Sequence, residues 1–336
     1  MIYNELIALG YSKEDIIKMK CKYPLNNCDD NYLLMHLNIL HQFLIDFGCK
    51  KKDVKKMITM YPIIVSYDID TIKLKIDFLY SLGYSREQII RMIKCNLHLL
   101  CLSIDNIRGT YNYFLSLGYN GKDIKKITVF RPQLYGLSIS SIENKINDLV
   151  SLGYNYEDVL KMIKNFSSII NVNFEYIKKK IDDIVAFGYS YEDVLMMTVK
   201  LPTLLGYDIN KIRNRVKELL DLGYSNEDII SMTKEFPSLY GLSIEGIKRK
   251  KEFYDDIGIS SVIIKNPIRF VQSVELSYAR YIFYSSIGIE INEDNYFDLF
   301  MYQKYFIKLY GKTNKQLLEE FSYKGYNGGI KYGRVV

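Results

Sequence analysis

The sequence has few of the residues on which catalysis and metal binding depend. Its 336 residues include only three histidines, His36, His41 and His98, and no serine or cysteine motif typical of a nucleophilic enzyme. His36 and His41 are five residues apart and so do not share a helix face well, whereas a metal site needs several converging ligands. We therefore expect no metal, no cofactor and no enzymatic activity.

Long apolar runs and paired cysteines are also lacking. No apolar run approaches the roughly 20 residues that a membrane span needs, so we expect no membrane partner. The five cysteines show no CxxC spacing, which is typical of reduced thiols. No signal or transit peptide is visible before the first repeat, and we expect a cytoplasmic protein. The net charge of +6 permits a polyanionic partner without requiring one.

A glycine recurs every 35 residues along most of the chain. The series runs from Gly48 to Gly258 without a change of spacing, while Gly10 lies 38 residues before it and Gly288 lies 30 residues after it. A fixed period of this size indicates one supersecondary unit that is copied and stacked into a solenoid. The search for function therefore turns from a single pocket to the surface along the repeats.

Each repeat is predicted to contain two helices separated by a short turn. An N-cap residue type lies two positions after most of these glycines, as at Ser85 and Ser225, and another lies twenty positions after, as at Asp68 and Ser243. A proline fourteen residues after the glycine, such as Pro62, ends the first helix. The glycine itself is predicted to end the second helix in a left-handed conformation. The fold class is therefore all-α, with helix–proline turn–helix repeats.

Cations recur at two places on the second helix, 25 and 27 residues after the glycine, which we call position 25 and position 27. Position 27 flanks the buried isoleucine stripe, so these cationic heads are expected to emerge beside the seam between repeats. Together they would form a basic track that follows a phosphate backbone. The predicted nucleic-acid-binding residues are Lys73, Lys75, Arg108, Lys145, Lys178, Lys180, Arg213, Arg215, Lys248, Lys250 and Arg280.

An ordinary charged surface gives a similar pattern. Lys73 lies four residues before Asp77, and such pairs stabilise a helix by only about 0.2–0.5 kcal/mol. Arg108 and Arg213 have no acid four residues on, which favours them as phosphate contacts. The tyrosine that follows most of the repeat glycines is expected to be a packing residue, although tyrosines also stack on bases.

The repeat resembles that of the mitochondrial transcription termination factor (mTERF) family. Residues 221–250 show the pattern most fully, from Asp221-Leu222-Gly223-Tyr224-Ser225 to the second-helix lysines, and the resemblance covers roughly residues 5–290. The segment Tyr278-Ala279-Arg280-Tyr281-Ile282-Phe283 is similar to the start of a final family repeat. The resemblance implies a curved superhelical solenoid of two α-helices and a 3₁₀ turn per repeat. It also implies a concave basic surface for duplex DNA or RNA, and organellar roles in transcription or ribosome assembly.

The leading hypothesis is a monomeric, non-enzymatic protein that binds nucleic acid, with duplex DNA favoured, and regulates or terminates transcription. A protein-interaction scaffold and an RNA-binding repeat protein are the alternatives. Pentatricopeptide repeats have the same length, but their helices cross through small residues and this chain has only three alanines. We expect residues 1–290 to form the repeats, 291–321 an irregular helical cap, and 322–336 a flexible basic tail.

Overall fold

The protein is all-α in the part of the chain that the structure describes. The structure is a computed structural model that describes residues 6–22 and 30–321. Within these two ranges, the regular elements are α-helices and short 3₁₀ helices, and no strand occurs. The predicted all-α helical-repeat fold is confirmed.

Each repeat from Gly48 to Gly258 contains a first α-helix, a 3₁₀ helix and a second α-helix, and is named here by the glycine that begins it. Of the Gly10 repeat, the structure describes the two α-helices. The first helices are Lys13–Lys22, Lys51–Met60, Arg86–Cys95, Gly121–Thr128, Tyr156–Asn165, Tyr191–Lys200, Asn226–Glu235 and Ser260–Lys265. The 3₁₀ helices are Pro62–Ser66, Leu97–Cys101, Pro132–Gly136, Ser167–Asn171, Pro202–Gly206, Pro237–Gly241 and Pro267–Val271. The second helices are Asp30–Asp46, Ile69–Ser81, Ile104–Ser116, Ile139–Ser151, Phe174–Val185, Ile209–Asp221, Ile244–Asp256 and Val274–Ser286.

The first helices begin at the residues that the sequence predicts. Ser85, Ser190 and Ser225 each form a reciprocal capping box with the residue three positions on, so that both side chains bond backbone amides. Asn120 accepts from two backbone amides, whereas Asn155 makes no side-chain cap bond. Local chemistry at the N-terminus thus sets where most of these helices start.

The turn between the helices is a 3₁₀ helix of five residues. Proline occupies its first position in most repeats. A backbone N–H at this position would have no acceptor within the helix, so its absence in proline breaks no hydrogen bond. Leu97 and Ser167 begin the same element without proline, so the proline favours the turn but is not required for it. Pro24 lies outside the described residues. The second-helix caps at Asp68, Ser103, Ser138, Asp208 and Ser243 accept from backbone amides as predicted.

The repeat glycines adopt the left-handed conformation that the sequence predicts. From Gly10 to Gly288 all nine have a positive φ, between 73° and 103°. An L-residue with a side chain is disfavoured in this region, because its Cβ crowds the carbonyl oxygen. The glycine therefore ends the second helix and turns the chain into the next repeat.

The core is built from the isoleucine stripe of the second helix and the tyrosine that follows the glycine. Ile72, Ile76 and Leu79 are buried on one helix face. Tyr84 is buried as well, and its hydroxyl lies 2.6 Å from the hydroxyls of Thr128 and Tyr135. Its predicted packing role is confirmed, and burial raises its pKa to about 12.

The chain divides into two compact units between Phe174 and Glu175. After the last repeat, the second unit continues with the 3₁₀ helix Tyr296–Phe300 and the helices Gln303–Tyr310 and Asn314–Glu320. The basic tail expected at residues 322–336 lies outside the described residues. No helix in the described ranges has the length and apolar character to cross a membrane.

Candidate nucleic-acid interface

The position-27 cations point into the protein. Lys75, Lys145 and Lys180 are each at most 9% exposed. The residue at position 27 lies three residues after the first isoleucine of the stripe and four before its last apolar residue, as Lys75 does between Ile72 and Leu79, so it shares the buried helix face. The expectation that these heads emerge beside the seam is therefore wrong for these three lysines.

Each of these buried cations bonds a backbone carbonyl of the following repeat. The Nζ of Lys75 donates to the Leu100 carbonyl at 2.6 Å, and the Nζ of Lys180 donates to the Tyr207 carbonyl at 2.7 Å. These acceptors lie at the C-terminal end of a 3₁₀ helix, where carbonyls lack a partner within the helix and carry partial negative charge. We call this contact the position-27 clamp. The other clamp bonds run from Lys145 to Val172, from Lys250 to Phe270 and from Arg280 to Leu299.

Arg280 belongs to this set because it lies eight residues before Gly288, as Lys75 does before Gly83. It is 1% exposed. Burial lowers the pKa of Lys75, Lys250 and Arg280, since removal from water disfavours the charged form. The clamp therefore fixes one repeat on the next and turns its charge away from solvent.

Three repeats depart from the clamp. In the Gly10 repeat the residue eight before Gly48 is the buried Leu40, which has no donor. The Gly83 repeat has the buried Thr110 at position 27, which supplies no ammonium group. In the Gly188 repeat, Nη1 of Arg215 forms an ion pair with Glu218 at 3.3 Å, and this nitrogen and Nε have no hydrogen-bond partner. Two position-27 cations also form ion pairs three residues along the same helix, Arg215 with Glu218 and Lys145 with Asp148.

The position-25 cations lie on the exposed face of the second helix, as phosphate contacts require. Lys178 and Lys248 are exposed and form no ion pair within the described residues. Lys73 pairs with Asp70, three residues before it, and not with the acid four residues on. Arg108 has no acid four residues after it, as the sequence shows, but it pairs with Asp105, three residues before it, at 2.7 Å. Exposed pairs of this kind contribute about 0–1 kcal/mol, so these cations remain available to a ligand.

A second exposed row of cations lies on the first helices, eight residues after the glycine. The row is confined to the first unit, since Met196 and Ser231 occupy the same place in the second. These cations recur with the repeat glycine, as those of position 25 do, so the sequence contains the signal for them. They are not among the contacts predicted from the sequence. Its five members are all exposed: Lys18, Lys56, Arg91, Lys126 and Lys161.

A basic cleft of about 700 Å³ lies where two of these first helices meet, in the Gly83 and Gly118 repeats. We call it the first-helix cleft. Phe130, 56% exposed, lies on its wall, and the guanidinium of Arg91 is 4.8 Å from the centre of that ring. Among the described residues that line it, four cations face one carboxylate, and the lining is Glu87, Gln88, Arg91, Lys122, Lys125, Lys126, Val129 and Phe130. In such a cleft, the cations can bind phosphates and the exposed aromatic ring can stack on a base.

The corresponding cleft of the second unit is different in charge. It has a similar volume, about 680 Å³, and its three lysines face the carboxylates of Asp193, Glu227 and Glu235. Lys234 pairs with Asp193 at 2.7 Å, and Lys200 pairs with Glu235 at 3.1 Å. The excess of positive charge is therefore a property of the first-helix cleft and not of every cleft between repeats.

The comparison with protein families agrees with this architecture. The mTERF family model matches residues 26–151, 81–187, 113–216 and 141–278, which together cover most of the chain. Comparison with individual curated proteins gives no match. The mTERF family is a non-catalytic family of repeat proteins that generally bind nucleic acid. On the strength of this match across its successive repeats, the chain belongs to the mTERF family.

Proposed function

We propose that this protein binds duplex DNA through phosphate contacts, without catalysis, and thereby regulates or terminates transcription. The observation that carries the proposal is the first-helix cleft, in which four exposed or half-exposed cations face a single carboxylate. Phosphate neutralisation by lysine and arginine dominates the affinity of proteins for nucleic acid. Membership of a nucleic-acid-binding family supports the same ligand class.

The phosphate contacts are assigned to exposed cations. The first-helix row supplies one set and position 25 supplies the other. The position-27 cations Lys75, Lys145 and Lys180 are already bonded to carbonyls, so a phosphate would have to break the clamp to reach them. The clamp lysines are therefore left out of the proposed phosphate contacts.

Single-stranded RNA or DNA is a second candidate, and Phe130 favours it. This ring is 56% exposed in a basic cleft, and base stacking on an aromatic ring contributes about 1–3 kcal/mol per base. A duplex keeps its bases stacked on each other and gains little from such a ring. Phe130→Ala should therefore weaken single-strand binding strongly and leave duplex binding almost unchanged.

The test measures the salt dependence of binding by fluorescence anisotropy. The full chain is titrated into a labelled 25-base-pair duplex DNA, the matching single-stranded DNA and the matching single-stranded RNA, from 50 to 300 mM KCl. In the test variant, Arg91, Lys122 and Lys126 are each changed to Gln. Loss of three phosphate contacts should reduce the slope of log K against log[salt] by about 2.7 on duplex DNA.

The matched control removes three lysines from the charge-balanced cleft of the second unit. Lys200, Lys234 and Lys265 line that cleft and are each changed to Gln. The control should retain the slope of the unmodified protein. Equal losses in both variants would mean that only total charge matters and would remove the assignment to the first-helix cleft. Absence of binding to all three probes at 50 mM KCl would overturn the proposal and favour a protein-interaction scaffold.

A further inference from the structure

A cleft near the end of the second unit contains two arginines and no acid among the described residues that line it. Its volume is about 340 Å³. Its walls come from the 3₁₀ helices Pro267–Val271 and Tyr296–Phe300, the helix Val274–Ser286 and the residues at the start of the last two helices. Arg269 and Arg280 both line this cleft.

Neither guanidinium has a carboxylate partner in the described ranges. Arg280, 1% exposed, donates to the carbonyl of Leu299 at 2.9 Å and to Oδ1 of Asn314 at 3.0 Å, both neutral acceptors. The Nε of Arg280 and the Nε of Arg269 are buried without a hydrogen-bond partner. By contrast, Arg249 in the same unit pairs with Glu275 at 2.6 Å.

The buried guanidinium of Arg280 and the partly buried guanidinium of Arg269 are costly without a counterion, because neutral acceptors only partly replace water around a charge. An aromatic ring beside each guanidinium group offsets part of this cost through a cation–π contact. The guanidinium of Arg269 lies 5.0 Å from the centre of the Phe300 ring, and that of Arg280 lies 4.8 Å from the centre of the Phe306 ring. An anion in the cleft would supply the charge that the lining lacks.

The rim of the cleft is apolar and exposed. Ile268 is 57% exposed, Val271 is 61% exposed and Tyr302 is 77% exposed. Such a rim gives no advantage to a bare inorganic ion, but it packs well against a ring or a hydrocarbon. The lining therefore matches a ligand with an anionic group at one end and an apolar body at the other.

We propose that this cleft binds a phosphate monoester carried on a flat, ring-bearing body. A phosphate monoester carries about −1.5 to −2 charges at neutral pH, which matches the two uncompensated guanidinium groups. Arginine presents several N–H groups in a fixed plane that suits phosphate oxygens. The ring of the ligand packs against Tyr302, Ile268 and Val271. Two sources offer this chemistry, a free mononucleotide and the terminal phosphate of a nucleic-acid strand.

The experiment is isothermal titration calorimetry on the full chain with phenyl phosphate as the probe. Benzyl alcohol and inorganic phosphate are the comparison ligands, because each retains only one end of the probe. Phenyl phosphate should bind with one site per chain, benzyl alcohol should not bind, and inorganic phosphate should bind at least about tenfold more weakly. Inorganic phosphate binding as tightly as the probe would overturn the assignment of the apolar rim.

Variants test the residues that hold the two ends of the ligand. Arg269→Gln should weaken phenyl phosphate binding by about tenfold or more, because a charge-assisted hydrogen bond is lost. Tyr302→Ala alters only an exposed side chain and should weaken binding severalfold without affecting folding. Arg249→Gln, outside the cleft, is the matched control and should change affinity by less than about twofold. Equal effects of Arg269→Gln and Arg249→Gln, or no binding of the probe at 10 mM, would remove the proposal.

The two sources are separated by further probes. AMP represents the free mononucleotide, and a 5′-phosphorylated oligonucleotide is compared with the same strand ending in a 5′-hydroxyl. If only the phosphorylated strand gains affinity through Arg269, the ligand is a strand end. If AMP binds as well as phenyl phosphate does, the ligand is the free nucleotide. Because the small probes do not depend on the first-helix cleft, this proposal and the proposed function can fail separately.

Discussion

Lys180→Met tests the position-27 clamp directly. The substitution keeps a linear apolar side chain of similar length and removes the Nζ that donates to the Tyr207 carbonyl at 2.7 Å. Lys180 is only 4% exposed, so water does not freely replace the lost donor. Hydrogen bonds that involve a charged group contribute about 1.5–3 kcal/mol, and the orphaned carbonyl adds a cost of similar origin. We expect the free energy of unfolding to fall by about 1.5–3 kcal/mol.

The matched control is Lys178→Met, two residues away on the same helix. Lys178 is exposed and forms no ion pair in the described part of the chain, so its removal should change stability by no more than about 0.5 kcal/mol. Urea unfolding followed by circular dichroism at 222 nm measures both variants. The two compact units need not unfold together, so midpoints are compared only between transitions of equal slope.

The same pair of variants separates a structural cation from a phosphate contact. If the clamp is structural, Lys180→Met lowers stability and leaves the salt slope of DNA binding unchanged, whereas Lys178→Met lowers the slope by about 0.9. The sequence-based hypothesis placed both residues in one basic track and predicts an equal loss of slope for both. Full stability of Lys180→Met together with a reduced slope would refute the clamp and restore that hypothesis.

The remaining predictions concern one histidine and two glycines. Burial, with nearby Lys51 and Lys55, lowers the pKa of His41 to about 4, so the folded protein keeps this ring neutral while the unfolded chain protonates it near pH 6.5. The contribution of neutral His41 to the free energy of unfolding is therefore complete above pH 6.5 and falls by about 3 kcal/mol as pH drops to 4. In urea unfolding from pH 7 to 4.5, His41→Gln should make stability less dependent on pH. An unchanged dependence would contradict this role of His41. Gly223→Ala should lower the free energy of unfolding by about 1–2 kcal/mol, because a φ of +87° is strained for alanine. The cost is purely one of backbone conformation, since a Cβ there meets no atom within 4 Å. Gly109→Ala, also in open space but inside a helix, should instead stabilise by about 0.4–1 kcal/mol, and thermal unfolding that gave both changes the same sign would refute this reasoning.

The repeat architecture could be predicted from the sequence because local chemistry determines it. Ser85 and Ser225 cap helices through their own side chains, and Gly223 ends a helix through its own backbone conformation. None of these effects depends on a distant part of the chain. Periodicity then places the stripe of Ile72 and Ile76 on one face, whatever packs against it.

The direction of the cations could not be predicted in the same way. Lys73 and Lys75 differ by two residues and are chemically identical, yet one faces solvent and the other bonds Leu100 in the next repeat. The acceptor becomes known only when the following 3₁₀ helix is placed, which is a tertiary contact. The spacing alone shows the first-helix row and its absence from the second unit. The charge balance of the clefts could not be predicted, because it depends on which side chains meet, as Lys234 and Asp193 do from 41 residues apart.

The threonine at position 27 of the Gly83 repeat has a consequence for how the array opens. In a linear array of repeats, each repeat is stabilised by its interfaces with its two neighbours, so one weak interface is enough to let the two sides unfold separately. Thr110 provides no charge-assisted hydrogen bond where Lys75 and Lys145, one repeat to either side, each provide one. Local unfolding of the first unit is thus expected to begin at the interface between the Gly83 and Gly118 repeats, while the repeats on either side stay folded.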